Sequence, residues 1–93
     1  MPGNEHQQIR EEREGVYGAW RPNMRATTLH IEAMRQQWEA NDGNADLPPY
    51  FAPLVMVAVK LNRIASGHYH ADNFADLRNY LDMVEQMQRE GGR

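Results

Sequence analysis

The stretch that decides the fold is FAPLVMVAVKLNRIASGHYHADNFADLRNYLDMVEQMQ, residues 51–88, because it holds two helix-length segments on either side of a short polar connection. Residues 51–65 are apolar nearly all round, which is typical of a buried helix. A strand over the valine-rich part is the alternative, although the length of the segment and the Ser66-Gly67 stop favour a helix. Pro53 then lies in the first turn of that helix or marks a slight offset of its start.

The second half of the stretch predicts another helix, from about Asp72 to Gln88, which ends before Gly91 and Gly92. Because only a few residues connect the two helices, we expect an antiparallel hairpin. One face of the second helix is apolar, and it consists of Phe74, Leu77, Leu81 and Val84.

A further amphipathic helix is predicted upstream, with Asn23 as its N-cap and its end near Ala40. Residues 1–14 carry one large apolar residue, Ile9, and we expect them to form a solvated arm. Residues 15–22 have turn chemistry, with aromatic side chains that we expect to pack on the body of the domain. The apolar face of the upstream helix consists of Met24, Thr27, Ile31, Met34 and Trp38.

These elements predict an all-α fold, a small antiparallel bundle of three main helices plus the N-terminal arm, with a single helical domain over residues 15–90. A chain of 93 residues with 41% hydrophobic content supports one core, and burial of roughly 65% of its surface is marginal. We therefore expect a thin core that is completed by oligomerisation.

The composition excludes several classes of protein. The chain has no Cys, which removes disulfides, thiolate catalysis and Cys-ligated zinc, and its pI near 5.7 argues against nucleic acid as a partner. The polar start has no apolar stretch typical of a signal peptide, and the longest apolar run is too short to span a membrane. We expect a cytoplasmic protein with no membrane partner.

The hairpin brings a set of cations and carboxylates together. Lys60 and Arg63 lie near the end of the first helix, and the start of the second carries a polar strip of Asp72, Asp76, Asn79 and Tyr80. One interpretation is structural, with ion pairs that join the two helices. The other is a nucleotide site, in which the cations bind phosphate oxygens and the two aspartates hold Mg²⁺.

Other motifs are weaker. The loop residues His68 and His70 suggest a transition-metal site, Tyr17 and Trp20 could stack on a base or anchor a turn, and His6 and His30 are interpreted as solvated or packing residues. The sequence has no Gly-x-Ser-x-Gly, no Walker A loop and no Gly-x-Gly-x-x-Gly, so serine hydrolysis, P-loop hydrolysis and Rossmann redox chemistry have no support.

The string VAVKLNRIASGHYHADNFADLRNYLDM, residues 57–83, resembles small phage-encoded domains related to the all-α nucleoside triphosphate pyrophosphatases of the MazG-like fold. The resemblance rests on Lys-x-x-Arg at Lys60 and Arg63, followed by Asp-x-x-x-Asp-x-x-x-Tyr on the next helix. Upstream, residues 13–18 resemble the Arg-x-x-x-Tyr-Gly element that opens such domains. The resemblance implies a ligand site at Lys60, Arg63, Asn79, Tyr80 and Tyr17, and a Mg²⁺ site at Asp72, Asp76 and Glu32.

The chain departs from the catalytic members of that superfamily on the upstream helix. Those members carry a Glu-x-x-Glu pair there, whereas this helix has Glu32 and Glu39 with Arg35 in the place of the second acid. Mg²⁺ can bind through one or two carboxylates plus phosphate and water, so binding survives this loss more readily than catalysis. The departure indicates a degenerate member.

Two functions follow as hypotheses. The first is a phage or prophage accessory protein in the host bacterial cytosol, a homo-oligomer that binds a nucleotide with Mg²⁺ and, if it is catalytic, acts as a Mg²⁺-dependent nucleotide pyrophosphohydrolase. The alternative is a non-enzymatic protein–protein interaction module, such as a phage inhibitor of a host protein.

Overall fold

The computed structural model describes residues 20–42 and 46–91, with the side chain of Asp42 excepted. Three helices account for most of these residues: α1 (Trp20–Asp42), α2 (Phe51–Ala65) and α3 (Ala71–Arg89). No strand occurs in these two ranges. The predicted all-α bundle is therefore confirmed, and the valine-rich segment is helical, whereas oligomerisation stays a prediction. The arm over residues 1–14 lies outside the described residues.

The start of α1 differs from the prediction. Asn23 is not the N-cap, because the helix begins at Trp20 and includes Asn23. Pro22 is tolerated there, since the first turn of a helix makes no internal hydrogen bond through its backbone N–H groups. The side-chain oxygen of Asn23 instead accepts a hydrogen bond from the hydroxyl of Thr27 one turn later, at 3.1 Å.

The entry to α2 is built by the proline pair that precedes it. The backbone N–H of Phe51 donates to the carbonyl of Pro48 at 3.0 Å, and the N–H of Ala52 donates to that of Pro49 at 3.2 Å. Pro53 lies in the first turn, as predicted. Tyr50 contacts the rings of both Trp38 and Phe51, with centroid distances of 6.4 and 5.8 Å, so aromatic packing ties the end of α1 to the start of α2.

The middle helix α2 packs against both α1 and α3, whereas the two outer helices have little contact with each other. The buried apolar residues are accordingly few: Phe51, Val57 and Ala58 from α2, and Val84 from α3. Among the described residues, no large side chain is less than 2% exposed. Over residues 20–42 and 46–91 the core is as thin as the composition predicts, because of these three helices only α2 packs against both of the others.

The connection between α2 and α3 is fixed at both ends. The N–H of Gly67 donates to the carbonyl of Ile64 at 3.1 Å, and the N–H of Asn73 donates to that of His70 at 3.1 Å. Gly67 has a φ of +92°, a conformation that side-chain-bearing residues rarely adopt. The tight connection makes α2 and α3 an antiparallel hairpin, as predicted. None of the described helices is long and apolar enough to cross a membrane.

Candidate functional site

The predicted cation–carboxylate cluster lies where the end of α2 meets the start of α3. The Nζ atom of Lys60 is 2.9 Å from Oδ2 of Asp76, so the ammonium and carboxylate form an ion pair between the two helices. The hairpin brings them together because Lys60 lies in the last turns of α2 and Asp76 in the second turn of α3. This ion pair is the contact that the structural interpretation of the cluster predicts.

The two partners differ in their access to water. The side chain of Lys60 is 15% exposed, whereas that of Asp76 is 44% exposed. Lys60 places its alkyl chain against the hairpin and brings its ammonium to the edge of the site. Asp76 therefore has a carboxylate that solvent reaches even while it is paired.

Arg63 adds a second cation on the same helix. It lies three residues after Lys60, is half-buried, and its backbone carbonyl accepts a hydrogen bond from the hydroxyl of Ser66 at 2.5 Å. The sequence of α2 contains no Asp or Glu, so the helix carries two positive charges and no negative one. Both cations lie towards the C-terminal end of the helix, where the partial negative charge of the helix dipole stabilises them.

The carboxylates predicted to hold a metal are spread out. Asp72 is exposed in the first turn of α3, Asp76 is half-buried one turn later, and Glu32 is exposed on α1. Within residues 20–42 and 46–91, no three His, Asp or Glu side chains come together as a metal-binding group. The structure thus keeps Asp72 and Asp76 one helical turn apart and does not join Glu32 to them in a three-carboxylate centre.

The remaining predicted ligands are partly placed. Asn79 is exposed and Tyr80 is half-buried, and they follow Asp76 by three and four residues on α3, so all three lie on neighbouring positions of that helix. Tyr17 lies outside the described residues, as does His6. Trp20 is at the start of α1, and the guanidinium of Arg21 lies 5.3 Å from the centre of its ring.

The His-Tyr-His loop is a separate feature at the same end of the molecule. His68 and Tyr69 are exposed, and His70 is the half-buried residue before α3. The histidines are not part of a metal-binding group among the described side chains. The ring of Tyr69 contacts that of Phe74, with a centroid distance of 5.9 Å and an angle of 34° between the ring planes.

A family model described as "Domain of unknown function (DUF6378)" matches residues 4–88. The chain belongs to this family. No curated protein and no solved structure matches the chain. The family match includes all of α1 and α2 and α3 as far as Gln88, so every residue of the cluster described above lies within it.

A polar chain that sequence reasoning missed joins α1 to α2 within the family match. The side-chain amide of Asn62 donates to the hydroxyl of Thr27 at 3.1 Å, and its carbonyl oxygen is 3.2 Å from Nε2 of His30, which donates. Thr27 is buried and in turn donates to Asn23. The available signal was an asparagine in the last turn of an otherwise largely apolar helix, because a polar group that is partly buried there needs partners.

Proposed function

We propose that the chain binds a nucleotide through its phosphates at the junction of α2 and α3. Lys60 and Arg63 bind phosphate oxygens, and Asp76, with Asp72, holds a Mg²⁺ ion that the phosphates share. The observation that carries this proposal is the Lys60–Asp76 contact, in which an enclosed ammonium meets a carboxylate that stays open to water.

The charges of α2 support phosphate rather than carboxylate ligands. Two cations three residues apart, on a helix without acids, attract a polyanion more strongly than one cation would. Hydrogen bonds from Lys and Arg to phosphate are charge-assisted and about twice as strong as neutral ones. A ligand with several phosphates can thus engage both side chains at once.

The spread of the carboxylates indicates how Mg²⁺ would be held. This ion usually keeps several waters and binds through one or two carboxylates together with substrate phosphates. Two aspartates one turn apart meet that need without a third acid. We therefore expect the ion to bind with the nucleotide and only weakly alone, and we assign no catalytic residue.

The resemblance to the MazG-like pyrophosphatases supports the same ligand class, and it points to an accessory protein of a phage or prophage. The isolated position of Glu32 is in line with a degenerate member of that superfamily. Binding is accordingly the activity that we propose, with hydrolysis as a separate question for a pyrophosphate-release assay.

The test is isothermal titration of ATP, GTP, CTP and UTP into the protein with and without Mg²⁺. We expect at least one of them to bind with Mg²⁺, and Lys60→Met to weaken that binding at least tenfold. The matched control is Arg89→Gln, because Arg89 is an exposed cation at the far end of α3 in a surface ion pair with Glu85. Absence of binding by all four nucleotides, or equal loss in the control, would overturn the proposal.

A second candidate function is a protein–protein interaction module, and one observation favours it. Leu61 on α2 and Leu81 on α3 are 44% and 52% exposed, although each belongs to the apolar face of its helix. Half-exposed leucines beside a thin core are typical of a surface that another chain covers. The first test of this candidate is the light-scattering mass of the protein in solution, which should exceed the mass of one chain if the surface is covered by a second copy.

A further inference from the structure

The aromatic residue at the tip of the α2–α3 loop has no role in the phosphate site. Tyr69 is 79% exposed. This is the highest exposure among the large apolar and aromatic residues that the structure describes. A tyrosine in water leaves most of its apolar surface unburied, so it gains from a ligand that covers it.

The ring of Tyr69 contacts one other aromatic ring among the described residues. Phe74, in the first turns of α3, lies against Tyr69 with its ring tilted by 34° at 5.9 Å. The backbone hydrogen bonds that begin and end the loop, from Gly67 and from Asn73, restrict the chain on both sides of Tyr69. The contact with Phe74 leaves most of the tyrosine ring open to water, since Tyr69 is 79% exposed.

The distance to the phosphate site suits a molecule that joins a planar ring to phosphates. Asp76 is five residues after the start of α3, which corresponds to about 7.5 Å along the helix axis. Tyr69 is two residues before that start, which adds at most about 7 Å. A ligand with its phosphates at Lys60 and Asp76 can therefore extend along the start of α3 towards the loop.

We propose that the exposed ring of Tyr69 stacks on the base of the nucleotide whose phosphates bind at Lys60 and Arg63. This inference rests on the proposed function and adds a specificity to it: the ligand is a nucleotide with a planar base, and inorganic polyphosphate lacks the group that Tyr69 binds. Stacking tolerates every base, because each has a π-face, so Tyr69 selects for a base without selecting among the four.

The test compares the tightest-binding of ATP, GTP, CTP and UTP with inorganic tripolyphosphate, all with Mg²⁺, by isothermal titration. We expect Tyr69→Ala to weaken nucleotide binding by roughly 5- to 100-fold and to leave tripolyphosphate binding unchanged. Tyr69→Phe keeps the ring and should bind nucleotide as the wild type does. Leu29→Ala is the matched control, since Leu29 is 67% exposed on α1.

The outcomes separate the two proposals. If tripolyphosphate binds the wild type as tightly as every nucleotide, or if Tyr69→Ala leaves the preference for nucleotide intact, the stacking role is wrong and phosphate binding stands. If neither tripolyphosphate nor any nucleotide binds, the phosphate site falls and the stacking role falls with it. Circular dichroism of Tyr69→Ala, which should match that of the wild type, excludes unfolding as the cause of a loss.

Discussion

Lys60 is the only lysine in a chain with ten basic residues, and it is an enclosed cation that pairs with a carboxylate on the neighbouring helix. An ammonium is a compact point charge, whereas a guanidinium is a planar fork that needs a wider opening. The side chain of Lys60 is only 15% exposed, so the site has room for the former. We therefore expect lysine and arginine to behave differently at this position.

Substitution of Lys60 by arginine tests this argument. We expect Lys60→Arg to keep the positive charge and still weaken nucleotide binding several-fold, because the larger group cannot take the same position against Asp76. The cost in unfolding free energy should stay below about 1 kcal/mol, since the carboxylate partner is half in water. Urea denaturation and nucleotide titration measure the two quantities. Binding by Lys60→Arg at wild-type strength would show that only charge matters here.

At the same scale, the sequence predicts that Asp76 pairs with Lys60 or Arg63, but it does not predict how exposed to water each partner is. A short connection between two helices places the end of one beside the start of the next, which is enough to bring these residues together. How much water each side chain keeps depends on the packing of the hairpin, and no local pattern encodes that. Asp76 lies one turn inside α3 and is less exposed than Asp72 at the start of the helix, a difference that helix position alone predicts.

At the scale of the elements, helix positions follow from apolar spacing, while contacts between helices depend on register. The lengths of α2 and α3 agree with the sequence prediction to within a residue or two, because their boundaries are marked by Pro, Ser and Gly. The predicted start of α1 at Asn23 is wrong, because Pro22 permits a helical turn before that residue. The pairing of Thr27 with Asn62 was not predictable, since no local sequence pattern fixes the register of α1 against α2.

The polar chain between α1 and α2 gives a stability prediction. Asn62→Ala removes the partners of the buried Thr27 hydroxyl and of His30, and we expect it to lower the unfolding free energy by about 1 to 2 kcal/mol. Thr27 keeps its bond to Asn23, which limits the loss. Nucleotide affinity should not change, because these hydrogen bonds join α2 to α1 and not to α3.

Asn41→Ala is the control for this measurement, because Asn41 is an exposed asparagine at the other end of α1. Its unfolding midpoint in urea should stay within about 0.5 kcal/mol of the wild type when converted to free energy. Equal stability of Asn62→Ala and Asn41→Ala would contradict a structural role for the polar chain.

At the scale of the whole molecule, α2 is the only one of the three described helices that packs against both of the others, and the core that the described residues form is correspondingly small. A domain of this size is marginal when its apolar faces are partly exposed, and a second copy of the chain is the simplest cover for them. Sequence composition predicts this shortage of core. It does not identify the covering surface, which depends on where the helices leave gaps.

We therefore expect the protein to self-associate at micromolar concentration, with a light-scattering mass above that of one chain. Leu81→Glu should shift the mass towards the monomer, because it places a charge on the apolar face of α3 where 52% of the leucine is exposed. Leu29→Glu is the control, since Leu29 lies away from the apolar face of α1. A wild type that is monomeric at these concentrations would contradict self-association.

The central claim is that Asp76 serves a Mg²⁺-bound nucleotide and is not only the partner of Lys60, and Asp76→Asn tests it most directly. The amide keeps the shape of the side chain and removes its charge, while Asp82→Asn on the exposed surface of α3 is the control. The measurement is thermal unfolding with a saturating nucleoside triphosphate, with and without Mg²⁺. A ligand at 100 times its dissociation constant stabilises by about 2.7 kcal/mol, so the response is readily seen.

The account predicts that Asp76→Asn unfolds close to the wild type without ligand and loses the additional stabilisation that Mg²⁺ gives to the nucleotide complex. The contradicting result is the reverse order of damage: a variant that unfolds at a much lower temperature because Lys60 has lost its partner, yet shows the full Mg²⁺ response once corrected for the folded fraction.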